Sequence, residues 1–211
     1  MAKEILTSLH GREIGLDSDR NLIVGGKQVT DKSAAVGAKN GTTVVETALV
    51  DGPVRKVKLT CTATPIVFAD DAGTAQYGGV KVYDFPAGLL LFFGAVIDGS
   101  LTLTESAWID TFDGDVALGT VTAATGADLV STEADLMVSN ALTQAATQVA
   151  NCDAQSSATQ VTESAALWSD GTATAKDMFL NYVIDDNVAH AAGNGTFTGT
   201  IEFAYMILGD N

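Results

Sequence analysis

Alternation with a period of two runs through the segment GTFTGTIEFAYMILGDN, which closes this sequence. Phe197, Ile201, Phe203, Tyr205 and Ile207 fall on one side of an extended chain, and Thr196, Thr198, Thr200 and Glu202 on the other, followed there by Met206 and Leu208. A side that alternates needs one layer to pack against, and a stretch apolar on both sides needs two. The expected position is therefore a central strand, half exposed where it starts and fully buried where it ends. A terminal segment frays unless it is tied down, so this one is expected to be held by its own domain or by a partner.

The same period recurs upstream. In VRKVKLTCT, Val57, Leu59 and Cys61 point one way and Lys56, Lys58, Thr60 and Thr62 the other. Ile66 to Phe68 and VKVYDF (80–85) follow, divided by the turn-rich DDAGTAQYGG, and then GLLLFFGAVI (88–97) reads as a buried strand that DGS turns into Leu101 to Thr104. TEADLMVSNALTQAATQVA allows a helix of weak apolar face, but residues 123–165 are read as loops with short strands. Asp128 to Val130, Val161 to Trp168 and MFLNYVI (178–184) are the later candidates, with SDGTAT supplying a turn. This pattern predicts an all-β fold, a jelly-roll or Greek-key β-sandwich over 41–211, in which distant strands pair. Residues 1–40, with five scattered glycines and no sustained period, are expected to form an extended N-terminal arm.

Charge is also distributed unevenly, with its division further along the chain. Residues 1–58 hold nine of the eleven Lys and Arg against seven acids, whereas 59–211 keep only Lys81 and Lys176 against nineteen. Such an acidic body repels nucleic acid and anionic membranes, and the mildly basic leading segment suits an acidic protein surface, unless its cations only decorate a solvated face. The first residues lack the apolar core of a signal peptide, and the longest apolar run is far short of the roughly 20 residues of a membrane helix, so a protein made in a cytoplasm is expected.

The residues offer little chemistry. His10 and His190 lie in glycine-rich surroundings without a nucleophile elbow, and Gly25-Gly26-Lys27 lacks the rest of a phosphate loop. Cys61 and Cys152 fit neither a disulfide framework nor a zinc spacing. The aspartates of DTFDGD (Asp110, Asp113, Asp115), Asp70-Asp71 and Asp185-Asp186 are oxygen-rich but match no EF-hand, and read as turn formers. Neither enzymatic activity nor a metal nor a cofactor is expected.

The segments LTSLHGREIGLDSDRNLIV, KVYDFPAGLLLFFGAVIDGSLTLT, FDGDVALGTVTA, DGTATAKDMFLNYVIDDNV and TGTIEFAYMILGDN together resemble tailed-bacteriophage capsid decoration, or cement, proteins. The resemblance spans most of the chain through strand and turn patterns, not through a catalytic motif. It implies a β-rich virion structural protein, commonly a homotrimer, that sits on the outer surface of an icosahedral shell and bridges capsomers of the major capsid protein. It carries no catalytic residues over.

On that reading Leu9, His10, Arg12, Ile14, Leu16, Arg20, Leu22 and Ile23 are the candidate capsid-binding residues, apolar anchors alternating with cations. The competing assignment makes Ile14, Leu16, Leu22 and Ile23 the first hairpin of the sandwich, with its turn over 15–21. Leu89, Leu91, Phe93, Tyr205 and Ile207 are candidates for the oligomer interface, with plain core the stronger reading of the same residues. Two other readings stay open: a head-fibre or tail-associated sandwich that binds glycans, marked by exposed Trp108 or Trp168, and a carbohydrate-active enzyme with two facing carboxylates.

Overall fold

A computed structural model describes residues 4–9, 12–16, 22–24, 27–28, 37–50, 54–71, 75–104, 114–146, 149–156, 168–170, 176–184 and 192–209. Strands account for nearly all of them, and the described residues contain no α-helix.

The leading segment is the first departure from expectation. Strands β1 (Glu4–Leu9), β2 (Arg12–Leu16), β3 (Leu22–Val24) and β4 (Lys27–Gln28) pair in sequence as a four-stranded antiparallel sheet of their own. Ile14 pairs with Val24 and Leu16 with Leu22, so a hairpin does form over the residues of the competing assignment, but in this separate sheet and not in the sandwich. The chain thus satisfies its backbone donors locally and does not run as a single extended arm. The sandwich also starts before residue 41, because β5 (Ala38–Lys39) pairs with Asp84 and Tyr83.

The remaining strands form one thirteen-stranded antiparallel sheet. They are β5, already placed, with β6 (Val44–Val50), β7 (Val54–Asp71), β8 (Ala75–Asp84), β9 (Leu89–Leu103), β10 (Gly114–Gly119), β11 (Met137–Ala141), β12 (Thr143–Ala146), β13 (Val149–Asn151), β14 (Ala154–Gln155), β15 (Trp168–Asp170), β16 (Asp177–Ile184) and β17 (Gly193–Gly209). The path is β11-β10-β16-β8-β7-β17-β9-β13-β12, with β5, β6, β14 and β15 joining at its sides. Ile66–Phe68 is no separate strand but the continuation of β7, whose first half pairs with β6 and whose last residues pair with β8. Asp128 to Val130 is not a strand.

The sheet curls so that its two halves face each other. Phe68 on β7 meets Tyr182 on β16, and Tyr83 on β8 packs edge-on against Phe203 on β17 with ring centres 4.9 Å apart. Phe85, Phe92 and Tyr205 extend this aromatic cluster, whose edge-to-face geometry suits ring quadrupoles. β17 is the central strand that its sequence predicts, flanked by β7 and β9 along most of its length. Its alternation persists to residue 207, however, and Met206 is only half-buried, so the strand does not become buried on both faces.

Two bulges set which residues face inward. On β7 the inward positions are Val57, Leu59 and Cys61, then Thr64, Ile66 and Phe68. The extra residue is Ala63, at φ 49°, whose amide donates to Thr198 Oγ1 where the register with β17 slips. On β9 the inward set changes from Leu90 and Phe92 to Ala95 and Ile97. Gly94, at φ 130°, makes that change possible, since this backbone region is open to glycine and strained for other residues. GLLLFFGAVI is therefore half-buried, not the fully buried run expected, and Phe93 is 45% exposed.

β10 and β16 are covered on their second face as well, with Tyr77 of β8 packed beside them. Residues 120–135 fold over them and bury Ala117, Ala123, Leu129, Ala134 and Val183 in a small separate core. The side chain of Asn181, fully buried, holds this flap: its Nδ2 donates to the carbonyls of Val121 and Glu133, both at 2.8 Å, and its Oδ1 accepts from the Ala123 amide. Asp135 accepts from both the amide and the hydroxyl of Thr120, bonds that oppose the upward push of burial on its carboxyl pKa.

Candidate interaction surface

The outward face of β7, β17, β9 and β14 is built by cross-strand register. One row runs Lys58, Glu202, Val96, Gln155, and the next runs Lys56, Ala204, Gly94. A third row, Val54, Met206, Leu91, is apolar and partly exposed. Glu202 reaches both lysines, with Oε2 3.1 Å from Lys56 Nζ and Oε1 3.2 Å from Lys58 Nζ. Those two ammonium groups hold its carboxyl below the usual glutamate range.

The β9 bulge interrupts these rows. It turns Phe93 outward beside Val96, itself 50% exposed. Ser156, just past β14, fixes the bulge: its Oγ accepts from the Ala95 amide at 2.8 Å. Phe93, Val96, Lys56, Glu202, Gln155 and Ser156 enclose a depression of about 290 Å³.

Of the expected oligomer residues, Leu89, Leu91 and Phe93 lie on this outward face of β9. Tyr205 and Ile207 do not: they are 0% and 2% exposed, inside the core, and have no surface to offer a neighbouring copy. The Tyr205 hydroxyl lies 3.2 Å from that of Tyr83, and burial pushes the pKa of both phenols up. Of the expected capsid-binding residues, Leu9, Arg12, Ile14, Leu16, Leu22 and Ile23 fall in the N-terminal sheet, and His10 and Arg20 lie outside the described residues. His190, Trp108, Asp110, Asp113, Asp185 and Asp186 also lie outside them, and Trp168 is placed only by its pairing with Leu91.

Among the described residues, no three His, Cys, Asp or Glu side chains converge in a metal-binding arrangement. Asp71 instead accepts from the Gly126 amide, a bond between distant parts of the chain and not the local turn bond expected of it. No helix among the described residues is long and apolar enough to cross a membrane.

Fold and surface together define an all-β sandwich made from one curled antiparallel sheet, with a separate small sheet before it. No protein-family profile matches the chain, and no curated protein matches its sequence. A solved structure, the "Crystal structure of infectious bursal disease virus VP2 subviral particle", is similar at 11% identity and a TM-score of 0.31, over 75% of this chain and 34% of that one. The chain thus spans about a third of that protein, and a likeness at this score carries no argument about function.

Proposed function

We propose that the protein is a structural component of a virion, which decorates the outer surface of a phage capsid as a homotrimer bridging subunits of the major capsid protein. The observation that carries this reading is the separate N-terminal sheet. The described strands between residues 4 and 28 pair with no strand of the sandwich. With Arg12, Arg20 and Lys27 against Glu4, Glu13, Asp17 and Asp19 this segment is close to neutral, so an acidic shell surface repels it far less than the body, whose 59–211 segment holds nineteen acids and two lysines. The half-exposed Leu89 and Leu91 on β9 suit a contact between copies around a threefold axis. The reading takes no cofactor, no nucleic acid and no catalytic residue.

The experiment is binding of the purified protein to mature, undecorated phage heads, with its mass measured by light scattering. Saturable binding at a fixed copy number by a trimer is expected, and removal of residues 1–30 should abolish binding while the body still folds. Heads that stay undecorated at saturating protein would overturn the proposal.

A further inference from the structure

The depression beside the β9 bulge has a construction that the proposed virion role does not require. A bulge re-aims side chains, and this one places a phenylalanine in solvent at the cost of a glycine at φ 130°. Ser156 holds the distorted turn through the Ala95 amide, so the position of the ring is fixed by the backbone around it.

Around the ring stand polar groups of a particular kind. Glu202 stays ionised between two ammonium groups, each of its oxygens engaging one lysine and retaining acceptor capacity. The lysines keep donors beyond those ion pairs, and Gln155, at the other end of the row, adds an amide. An aromatic face beside a fixed carboxylate, ammonium donors and an amide matches a molecule with an apolar C–H face and a rim of hydroxyls. The depression, about 290 Å³ and open to solvent, has room for one such ring. The chain carries a net charge of −15, which disfavours a polyanionic ligand.

We infer that this depression is a binding site for one neutral hexose unit of a glycan, with the sugar's apolar face on Phe93 and a pair of its hydroxyls on Glu202. The site is separate from shell attachment and from the contact between copies. Val96 closes the apolar side, and Lys56 donates to the ring hydroxyls from the other.

Saturation-transfer NMR on the full chain tests it, using the methyl glycosides of glucose, galactose, mannose and N-acetylglucosamine as probes. At least one is expected to bind saturably in the millimolar range, with transfer strongest at its apolar C–H face. Phe93→Ala should weaken that binding at least tenfold and Phe93→Tyr should retain it. Glu202→Gln should weaken it too, with unfolding midpoint, solution mass and head binding unchanged in all three variants. Absence of saturable binding by all four glycosides would overturn the inference. So would binding that survives Phe93→Ala, or a loss of oligomer mass in that variant, which would assign Phe93 to the contact between copies.

Discussion

Ser156 grips Ala95 from both sides: its Oγ accepts from the Ala95 amide at 2.8 Å, and its own amide donates to the Ala95 carbonyl at 2.9 Å. The bulge in β9 leaves that amide outside the regular ladder, so the serine hydroxyl replaces a strand partner. Ser156→Ala should destabilise the protein by about 1–3 kcal/mol, the penalty of a buried donor left without its acceptor. Urea unfolding measures it, and an unchanged midpoint would refute the role.

The adjacent glycine gives a second expectation. At φ 130°, any side chain at position 94 meets backbone strain, and a Cβ there would also press on Ser156. Gly94→Ala should cost about 1–3 kcal/mol. A stability equal to the parent's in the same unfolding assay would show that the bulge is not strained.

Asn181 should dominate the stability of the flap. Asn181→Ala leaves the Val121 and Glu133 carbonyls and the Ala123 amide without their buried partner, at about 3 kcal/mol or more in sum. Hydrogen exchange should accelerate across 120–135 before it does in β7 or β17. Uniform acceleration over the whole sheet would mean that the flap has no separate opening.

Burial pushes the Cys61 thiol up to about 11, with a bond to Thr64 opposing, and burial raises Cys152 to about 11 as well. The unfolded thiols titrate at about 8.5, so the folded values are raised. Their contribution to stability is then fully present below about pH 8.5 and is lost as pH rises through the folded value. Both thiols should resist an aromatic disulfide reagent at pH 8 until denaturant is added, and fast labelling of native protein would contradict this.

The hydroxyl pair of Tyr83 and Tyr205 offers a coupling test. Each Tyr→Phe change should cost about 1 kcal/mol, and the double variant less than the two together, with a coupling of about 0.5–1.5 kcal/mol. Strict additivity in the double-mutant cycle would show that the 3.2 Å contact contributes nothing.

Alternation made β7 and β17 legible, because a half-buried strand writes its inward face into every second residue, whereas β16 was legible as a short apolar run beside a turn. The bulges were not legible: Ala63 and Phe93–Gly94 reverse the inward parity, and that depends on slips against β17 which the local sequence does not record. For the same reason Phe93 reads as one more residue of an apolar run, and the Glu202 pairing with Lys56 and Lys58 appears only once β7 and β17 are side by side. Tyr205 and Ile207 carried the signature of apolar strand residues, which core and interface share. The N-terminal hairpin was readable as an alternative, since Leu16 and Leu22 flank a turn-rich stretch, but its independence from the sandwich was not.

The central place of β17 also governs how the protein emerges from a ribosome. β7 and β9 do not pair with each other; each presents an edge to the slot that β17 occupies. Until the chain between Leu103 and Gly193 has been translated, at about 5–20 residues per second, that slot stays open for several seconds. Newly made chains therefore pass through a state in which two long apolar edges await the same late strand, and a neighbouring nascent chain can offer its own β17 in exchange.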